Sequence, residues 1–311
     1  MQVARLYYEH DLTQQQIAGK LNITRQKVSR LLIQGRDLGI VTIIINDPIP
    51  SDPELEAALI ETFHLNKVVL TEGAGLDQSG LRHSIGLAAS DYLQQIVKED
   101  DCVGIGWGRT LFSVVSNLQK NSNIRINVVP MIGGSGDMSP SFQVNELVRL
   151  LAEAFSGTYR PIYAPAFTQD IDEWKTIMDT DEVRQVAKLW PMLDIAVVGV
   201  GHVEFQKKSS MFFTEHMTNA SLAKLKSDGG VGDICGNFYD IQGRPVMDET
   251  GIVGINLEQI QKVPEVIVAA GGLEKTQALV GALRGRFIKT LVTDVVTARE
   301  VLAVHEKEAR I

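Results

Sequence analysis

The segment GIGWGRT, which ends at Thr110, has the residue types needed to hold an anion. Gly104, Gly106 and Gly108 allow backbone N–H groups to point outward just before a helix that we expect to start near Thr110, and a nest of such groups binds phosphate. Arg109 can add charge-assisted, bidentate hydrogen bonds to a phosphate, and the Thr110 hydroxyl can cap the helix and donate to a phosphate oxygen. The alternative is a tight strand-to-helix turn that binds no ligand.

The spacing within this segment argues against the common nucleotide sites. It matches neither GxxxxGK[ST] nor GxGxxG, since position 109 is Arg, and no acidic residue closes the following run INVVP as a ribose-binding acid would. We therefore expect neither a dinucleotide nor a nucleoside triphosphate, and we predict no cofactor.

Two further glycine loops could complete an anion site. In GGLEK, Gly271 and Gly272 permit close backbone approach, and Lys275 supplies a cation at a helix start, although a solvated lysine explains that residue equally well. In MIGGSGD, the candidate lining residues are Gly133, Gly134 and Ser135.

Three aspartates are candidate polar groups. Asp233 and Asp240, both within VGDICGNFYD, could accept hydrogen bonds from sugar hydroxyls. Asp294 follows a strand candidate, but Thr297 and Glu300 have capping-box spacing, so turn chemistry explains that corner without a substrate.

The elements that would position these residues are short β-rich runs alternating with helical patterns such as LRHSIGLAASDYLQQIVK. The strand candidates are KVVLTEG, CVGIGWG, INVVPMIGG, YRPIYAP, DIAVVGVG, GIVGINL, EVIVAAGG and KTLVTD. This alternation predicts an α/β fold with a mostly parallel sheet covered by helices. Ligands in such sheets bind beyond the carboxyl ends of the strands, where several of these runs end in glycine.

Residues 12–38 follow a different pattern, two short amphipathic helices at helix-turn-helix spacing. Thr13 and Gln16 form a capping-box pair, Asn22 suits a left-handed turn that Ile23 can plug, and Thr24 is a good N-cap for the second helix. The predicted apolar faces are Ile17, Ala18 and Leu21 in the first helix and Val28, Leu31 and Leu32 in the second.

The second helix leaves polar and basic side chains free for DNA. We assign base contacts to Arg25, Gln26 and Ser29 and phosphate contacts to Lys27, Arg30 and Arg36, with Thr24 at the helix start. The alternative is an ordinary solvated helical hairpin.

Charge supports a DNA-binding module on an acidic body. Residues 1–45 hold six Lys or Arg against three Asp or Glu, a formal charge of +3, and the rest holds 24 against 35, or −11. A sequence pI near 5.3 excludes a protein that coats nucleic acid with its whole surface. Because +3 is modest, we expect two or more modules to bind double-stranded DNA together.

Proline spacing places the domain boundary in NDPIPSDPE. We predict a DNA-binding domain over residues 1–46, with a possible closing strand at 40–46, a linker over 47–54 and an effector domain over 55–311. The apolar runs are too short for a membrane span, and the N-terminus has no signal region, so we expect a cytoplasmic protein without a membrane partner. Two cysteines without CxxC spacing and six scattered histidines predict no metal site.

Six stretches resemble a known family. They are ARLYYEHDLTQQQIAGKLNITRQKVSRLL, VGIGWGRT, DIAVVGVG, VGDICGNFYD, VIVAAGG with its following Lys, and GALRGRFIKTLVTDVVTA. Together they resemble the SorC family of bacterial sugar-responsive transcriptional regulators over nearly the whole chain. The resemblance implies a helix-turn-helix domain and a large Rossmann-like effector domain similar to glucosamine-6-phosphate deaminase and ribose-5-phosphate isomerase. It also implies a homo-oligomer, a dimer or commonly a tetramer, on a palindromic operator.

The resemblance further implies a phosphorylated sugar or sugar alcohol as the effector. Its phosphate would lie on Gly106, Trp107, Gly108, Arg109 and Thr110, with Gly133, Gly134 and Ser135 lining the pocket and Asp233, Gly271, Gly272 and Lys275 completing it. The family often has a small or hydroxyl residue at position 109 and a few more residues before the first helix.

Two other functions remain open at this point. A sugar-phosphate isomerase or deaminase with an added helix-turn-helix would need a positioned base, for which Asp233 or Asp240 are candidates. A plain oligomerisation scaffold would have no use for so many glycine-rich strand exits.

Overall fold

The computed structural model describes residues 2–8, 10, 12–37, 52–136, 139–203, 217, 219–247 and 251–309. The chain divides into two compact units, Met1–Pro48 and Ile49–Ile311. The strand predicted at 40–46 and most of the predicted linker lie outside the described residues. In the part that is described, no helix is long and apolar enough to span a membrane.

The first unit contains three helices, α1 (Gln2–Tyr8), α2 (Gln14–Leu21) and α3 (Arg25–Asp37). The predicted capping box is confirmed: Gln16 N donates to Thr13 Oγ1 at 3.3 Å, and Thr13 N donates to Gln16 Oε1 at 2.9 Å. Asn22 ends α2 with a φ of 52°, and Thr24 accepts from Lys27 N at 3.2 Å at the start of α3. Local sequence therefore sets both helix ends and the turn.

These helices enclose a small core of buried side chains: Val3, Leu6, Ile17, Ala18, Val28 and Leu32. The prediction that Leu31 is buried is wrong, because its side chain is 37% exposed. The apolar residues of α1 share a core with Val28 and Leu32, which leaves Leu31 on the flank of α3.

The second unit is built on a seven-stranded sheet in which every pairing is parallel. The strands are β1 (Lys67–Thr71), β2 (Cys102–Ile105), β3 (Asn127–Pro130), β4 (Thr158–Tyr159), β5 (Ile195–Val198), β9 (Glu265–Ala269) and β10 (Thr290–Asp294). Their order across the sheet is β1-β10-β9-β5-β2-β3-β4. A smaller antiparallel sheet contains β6 (Gly201–His202), β7 (Gly230–Ile234) and β8 (Asn237–Asp240). The predicted α/β class is confirmed.

Helices pack around this sheet. They are α4 (Pro53–Phe63), α5 (Gln78–Ile96), α6 (Arg109–Asn117), α7 (Val144–Ala154), α8 (Ile171–Met178), α9 (Asp181–Ala187), α10 (Asn219–Ser227), α11 (Leu257–Lys262), α12 (Thr276–Arg284) and α13 (Val295–Ala309). From β2 the chain continues to β3 and β4 on one side, whereas β5, β9 and β10 lie on the other. The order therefore reverses at β2 and β5, and such a switch point opens a crevice at the carboxyl ends of the strands.

The observed strands differ from the predicted ones in three segments. GIVGINL is not a strand; it makes isolated bridges through Ile252 and Gly254 before α11 begins. In YRPIYAP only the first residue belongs to a strand, because β4 is two residues long. VGDICGNFYD, which was not among the strand candidates, is the hairpin of β7 and β8, turning at Cys235 and Gly236 with φ of 50° and 78°. Positive φ at both central residues is typical of a two-residue hairpin turn.

Candidate functional site

The loop after β2 lies at the switch point of the sheet, and its first two residues form part of the packed interior. Gly106 N donates to Val197 O at 3.1 Å. A methyl group at position 106 would lie 3.4 Å from Cys235 Sγ, so the hairpin packs closely here. Trp107 is 9% exposed, and its ring lies 6.4 Å from that of Phe167. Gly106 and Trp107 thus form the buried floor of the candidate site, and the N–H group of Gly106 is already used within the protein.

The next residues form an open helix N-terminus. Gly108 has φ 122° and ψ 170°, a conformation that requires glycine, and no side chain in the described part of the chain caps α6. Phe112 N makes the first helical bond, to Gly108 O at 2.9 Å. Across the described ranges, the N–H groups of Gly108, Arg109, Thr110 and Leu111 have no hydrogen-bond acceptor in the protein. The prediction that Thr110 caps the helix is wrong, because α6 already begins at Arg109.

A second cation, which the sequence analysis missed, lies beside the exposed Arg109 side chain. Arg82 on α5 is half-buried, and burial lowers its pKa, as does the nearby charge of Arg109. A signal existed in the sequence: Gly86, one helical turn later in LRHSIGLAAS, marks a close helix contact.

The loop after β9 is fixed by hydrogen bonds to the start of α13. Gly272, with φ 102°, donates its N–H to Asp294 Oδ2 at 3.1 Å and to Thr297 Oγ1 at 2.8 Å. Asp294 Oδ1 also accepts from Thr297 N at 2.9 Å. Asp294 therefore caps α13, and the prediction of a capping box between Thr297 and Glu300 is wrong, although turn chemistry does account for this corner.

This loop brings Lys275 near the buried carboxyl of Asp233. Burial lowers the pKa of Lys275, and the carboxylates of Glu274 and Asp233 oppose that change. Asp233 is 4% exposed, accepts from Gly236 N at 3.1 Å, and has its pKa raised by burial to about 7. Tyr239 Oη is also buried near Asp233 and has no hydrogen-bond partner among the described residues. This part of the site therefore holds polar groups that the fold itself leaves incompletely satisfied.

The loop after β3 differs, because its N–H groups are already used. Gly133 N donates to Val253 O and Gly134 N donates to Ala164 O, both at 2.8 Å. Ser135 N donates to Gln143 Oε1 at 3.2 Å. A methyl group at position 133 would lie 2.5 Å from Pro165 O, so this glycine allows two backbone segments to approach. The loop can line a pocket but has no free backbone donors to offer from Gly133, Gly134 and Ser135.

The carboxylate of Asp240 likewise has its hydrogen-bond partners within the protein. Its Oδ1 accepts from Gln242 N and Arg244 N, both at 2.9 Å, and its Oδ2 pairs with Arg244 at 2.7 Å. The interpretation of Asp240 as a group that binds sugar hydroxyls is therefore contradicted. Within the described ranges, no group of His, Cys, Asp and Glu could hold a metal ion.

The helix-turn-helix unit presents the predicted recognition residues at its surface. Along the first turns of α3, Thr24, Arg25, Gln26, Lys27 and Arg30 are exposed and Ser29 is half-buried. The side chain of Arg36 lies outside the described residues. Because Val28 points into the core, the polar residues around it face solvent.

Comparisons with known proteins account for both units. Residues 47–303 match the family model described as "Putative sugar-binding domain", and residues 1–37 match that of "Sigma-70, region 4". The chain is 33% identical over 314 residues to the sorbitol operon regulator of Klebsiella pneumoniae, covering 97% of this chain and 96% of that protein. It is 30% identical over 306 residues to the deoxyribonucleoside regulator of Bacillus subtilis, with coverage of 97% and 96%.

The solved structures agree. The full-length sorbitol operon regulator SorC from Klebsiella pneumoniae matches with a TM-score of 0.76 at 32% identity, and the match covers 97% of each chain. The probable sor operon regulator from Shigella flexneri matches with a TM-score of 0.74 at 29% identity, covering 81% of this chain and all of that one. These relatives are transcriptional regulators, so the chain is a regulator and not an enzyme. It belongs to the SorC family of sugar-responsive transcriptional regulators.

Proposed function

We propose that this regulator binds the phosphate of a sugar or sugar alcohol at the first turn of α6. The observation that carries the proposal is the run of four N–H groups from Gly108 to Leu111 for which the described protein offers no acceptor. A doubly charged phosphate satisfies several such donors at once and interacts favourably with the helix dipole. Arg109 adds a charge-assisted bond, the Thr110 hydroxyl can donate another, and Gly106 and Trp107 form the floor.

We assign the sugar hydroxyls to Asp233 and Lys275. Asp233 has a pKa near 7, so its carboxyl group can accept or donate a hydrogen bond at neutral pH. Gly271 and Gly272 permit close approach on the same side, and Gly133, Gly134 and Ser135 contribute pocket wall. The names of the relatives, a sorbitol operon regulator and a deoxyribonucleoside regulator, favour a polyol or sugar derivative as the effector and a carbohydrate-utilisation operon as the target.

In the DNA-binding domain, residues 1–46, α3 enters the major groove of a palindromic operator. Arg25, Gln26 and Ser29 read base edges, and Thr24, Lys27, Arg30 and Arg36 hold phosphates. The modest charge of this domain favours a homodimer or homotetramer, assembled through residues 55–311, that places two copies of α3 about 34 Å apart, one helical turn of DNA.

The effector acts by changing the geometry that these paired helices need. If the phosphate draws the start of α6 towards the loop after β9, the packing between subunits shifts, and the spacing of the two α3 helices changes with it. Reversing operator occupancy from 99:1 to 1:99 requires a difference in effector affinity between the two states of about 5.5 kcal/mol.

Fluorescence anisotropy of a labelled DNA fragment from upstream of the gene's own operon tests the proposal. The full-length chain is titrated at fixed salt, then challenged with matched pairs of phosphorylated and unphosphorylated sugars and sugar alcohols. We expect tight binding that only a phosphorylated compound changes. A response to the unphosphorylated member of a pair alone would refute the phosphate site, and failure of the intact chain to bind DNA would refute the role of α3.

A further inference from the structure

We propose that Arg82 joins Arg109 as a cationic ligand of the effector phosphate, and that the Glu274 carboxylate, linked to Arg82 through Gln78, competes with this anion. This inference rests on the proposed phosphate site at α6. It adds a residue from α5 to that site and a competing carboxylate from the loop after β9.

A close helix contact places Arg82 beside Arg109. A methyl group at position 86 would lie 2.3 Å from Ser113 Oγ, so α5 and α6 touch where Gly86 meets Ser113. Both helices follow parallel strands and therefore run in the same direction. Arg82 and Arg109 each precede this contact by four residues, about one helical turn. Both residues consequently lie in the first turns of their helices, at the carboxyl edge of the sheet, and the charge of Arg109 acts on the Arg82 guanidinium.

Lys275 brings a third positive charge to the same place. The charge of Arg82 lowers the pKa of Lys275, in addition to the larger effect of burial. Glu274, the residue before Lys275, accepts a hydrogen bond from Gln78 Nε2 of α5 at 3.5 Å, so the loop after β9 packs against the same end of α5. Like charges that are held close together and partly buried repel one another, and an anion bound between them offsets that cost.

A short chain of polar side chains links Arg82 to a carboxylate. Arg82 Nη1 donates to Gln78 Oε1 at 3.4 Å, and Gln78 Nε2 donates to Glu274 Oε1 at 3.5 Å. The Glu274 carboxylate folds back over Gly272, where a methyl group would lie 2.7 Å from both of its oxygens. Because Glu274 is exposed and these bonds are long, an arriving phosphate can displace it.

The test is isothermal titration of the full-length chain with inorganic phosphate at fixed ionic strength. Arg82→Gln should weaken phosphate binding about tenfold or more, since it removes a charge-assisted bond. Glu274→Gln should strengthen binding about two- to fivefold, because a competing exposed carboxylate is lost. Arg125→Gln is the matched control: this arginine is 74% exposed at the opposite end of the sheet, before β3, and binding should not change.

Opposite signs for Arg82→Gln and Glu274→Gln would support the proposal, since a general loss of structure moves both in one direction. Thermal unfolding without phosphate checks that each variant folds. If Arg109→Gln loses binding while Arg82→Gln binds as the wild type does, the role of Arg82 is overturned and the α6 site stands. If the wild type does not bind phosphate, the proposed site and this inference both fail.

Discussion

The loops that follow β2 and β3 leave neighbouring strands of one sheet and are both rich in glycine, yet they use their polar groups in opposite ways. After β3, the N–H groups of Gly133, Gly134 and Ser135 all donate within the protein. After β2, the N–H groups from Gly108 to Leu111 find no acceptor in the described chain, and the nearby Asp233 is buried with a pKa raised to about 7.

The difference shows what glycine does in each place. Gly133 removes a side chain so that two backbone segments can pair, which builds structure. Gly108 supplies a φ of 122° that turns the chain into α6 and leaves donors pointing outward, which builds a site. The first N–H groups of α6 are therefore available to a ligand, and the buried Tyr239 Oη near Asp233, which has no partner among the described residues, adds a polar group whose burial costs stability.

Among the variants that test this comparison, Asp233→Asn should change the free energy of unfolding most. The native carboxyl has a pKa of about 7 against about 3.9 in unfolded chains, so the folded state binds more protons between these values and wild-type stability falls as pH rises from about 4 to 7. The variant should therefore be more stable above pH 7, by up to about 4 kcal/mol, with the difference vanishing near pH 4.

Denaturant unfolding at pH 4, 6 and 8 measures this prediction. Asp240→Asn is the control, because Asp240 is paired with Arg244, and its loss should destabilise the protein at pH 8. An Asp233→Asn variant that is less stable than the wild type at pH 8 would contradict the assignment of Asp233 as a buried carboxyl with a raised pKa.

Gly133→Ala should lower the free energy of unfolding by about 3 kcal/mol, because the new methyl group meets backbone atoms of Pro165 at 2.5 to 2.6 Å. Phosphate affinity of the folded fraction should stay unchanged, since Gly133 N is committed to Val253 O. Chemical denaturation and phosphate titration of the same sample separate the two effects. Normal stability with lost binding would reverse the roles assigned to the two loops.

Arg109→Gln should weaken phosphate binding by about 2 kcal/mol, close to 30-fold, through the loss of one charge-assisted interaction. Binding to operator DNA in the absence of effector should persist, because α3 is unaltered. Titration calorimetry and DNA anisotropy measure the two properties. An unchanged effector response would contradict the placement of the effector phosphate at the start of α6.

The smallest effect is expected for Gly108→Ala, about 1 kcal/mol or fivefold in phosphate affinity. A methyl group at position 108 has open space around it, so the effect comes from a backbone conformation that alanine resists. Gly229→Ala is the control, because Gly229 also has a positive φ, 72°, with no described atom within 4 Å of an added methyl group, and it lies outside the proposed site. Equal affinities for the two variants would mean that the N–H groups of α6 do not hold the anion.

Local chemistry made the ends of α2 and α3 predictable, whereas α1 was not among the predicted helices. Thr13, Gln16, Asn22 and Thr24 fix helix ends through bonds to neighbours three or four positions away, which a sequence displays directly. The exposure of Leu31 could not be predicted in this way, because it depends on where α1 packs.

The large unit was predictable at its buried parallel strands and less so elsewhere. β-branched runs such as KVVLT and TLVTD are strands, but the same composition in GIVGINL forms only isolated bridges, since strand pairing depends on partners far along the chain. In the site, glycine spacing located the loops but not the acceptors of their N–H groups. Arg82 was missed because its neighbour Arg109 comes from another helix.

Hydrogen–deuterium exchange with and without saturating inorganic phosphate tests the central claim most directly. We predict slower exchange in peptides that cover residues 106–112 and no change in peptides that cover residues 131–136, where the N–H groups of Met131, Gly133, Gly134 and Ser135 are already bonded. Protection of residues 131–136 without protection of residues 106–112 would contradict the placement of the anion at α6 and would transfer the site to the loop after β3.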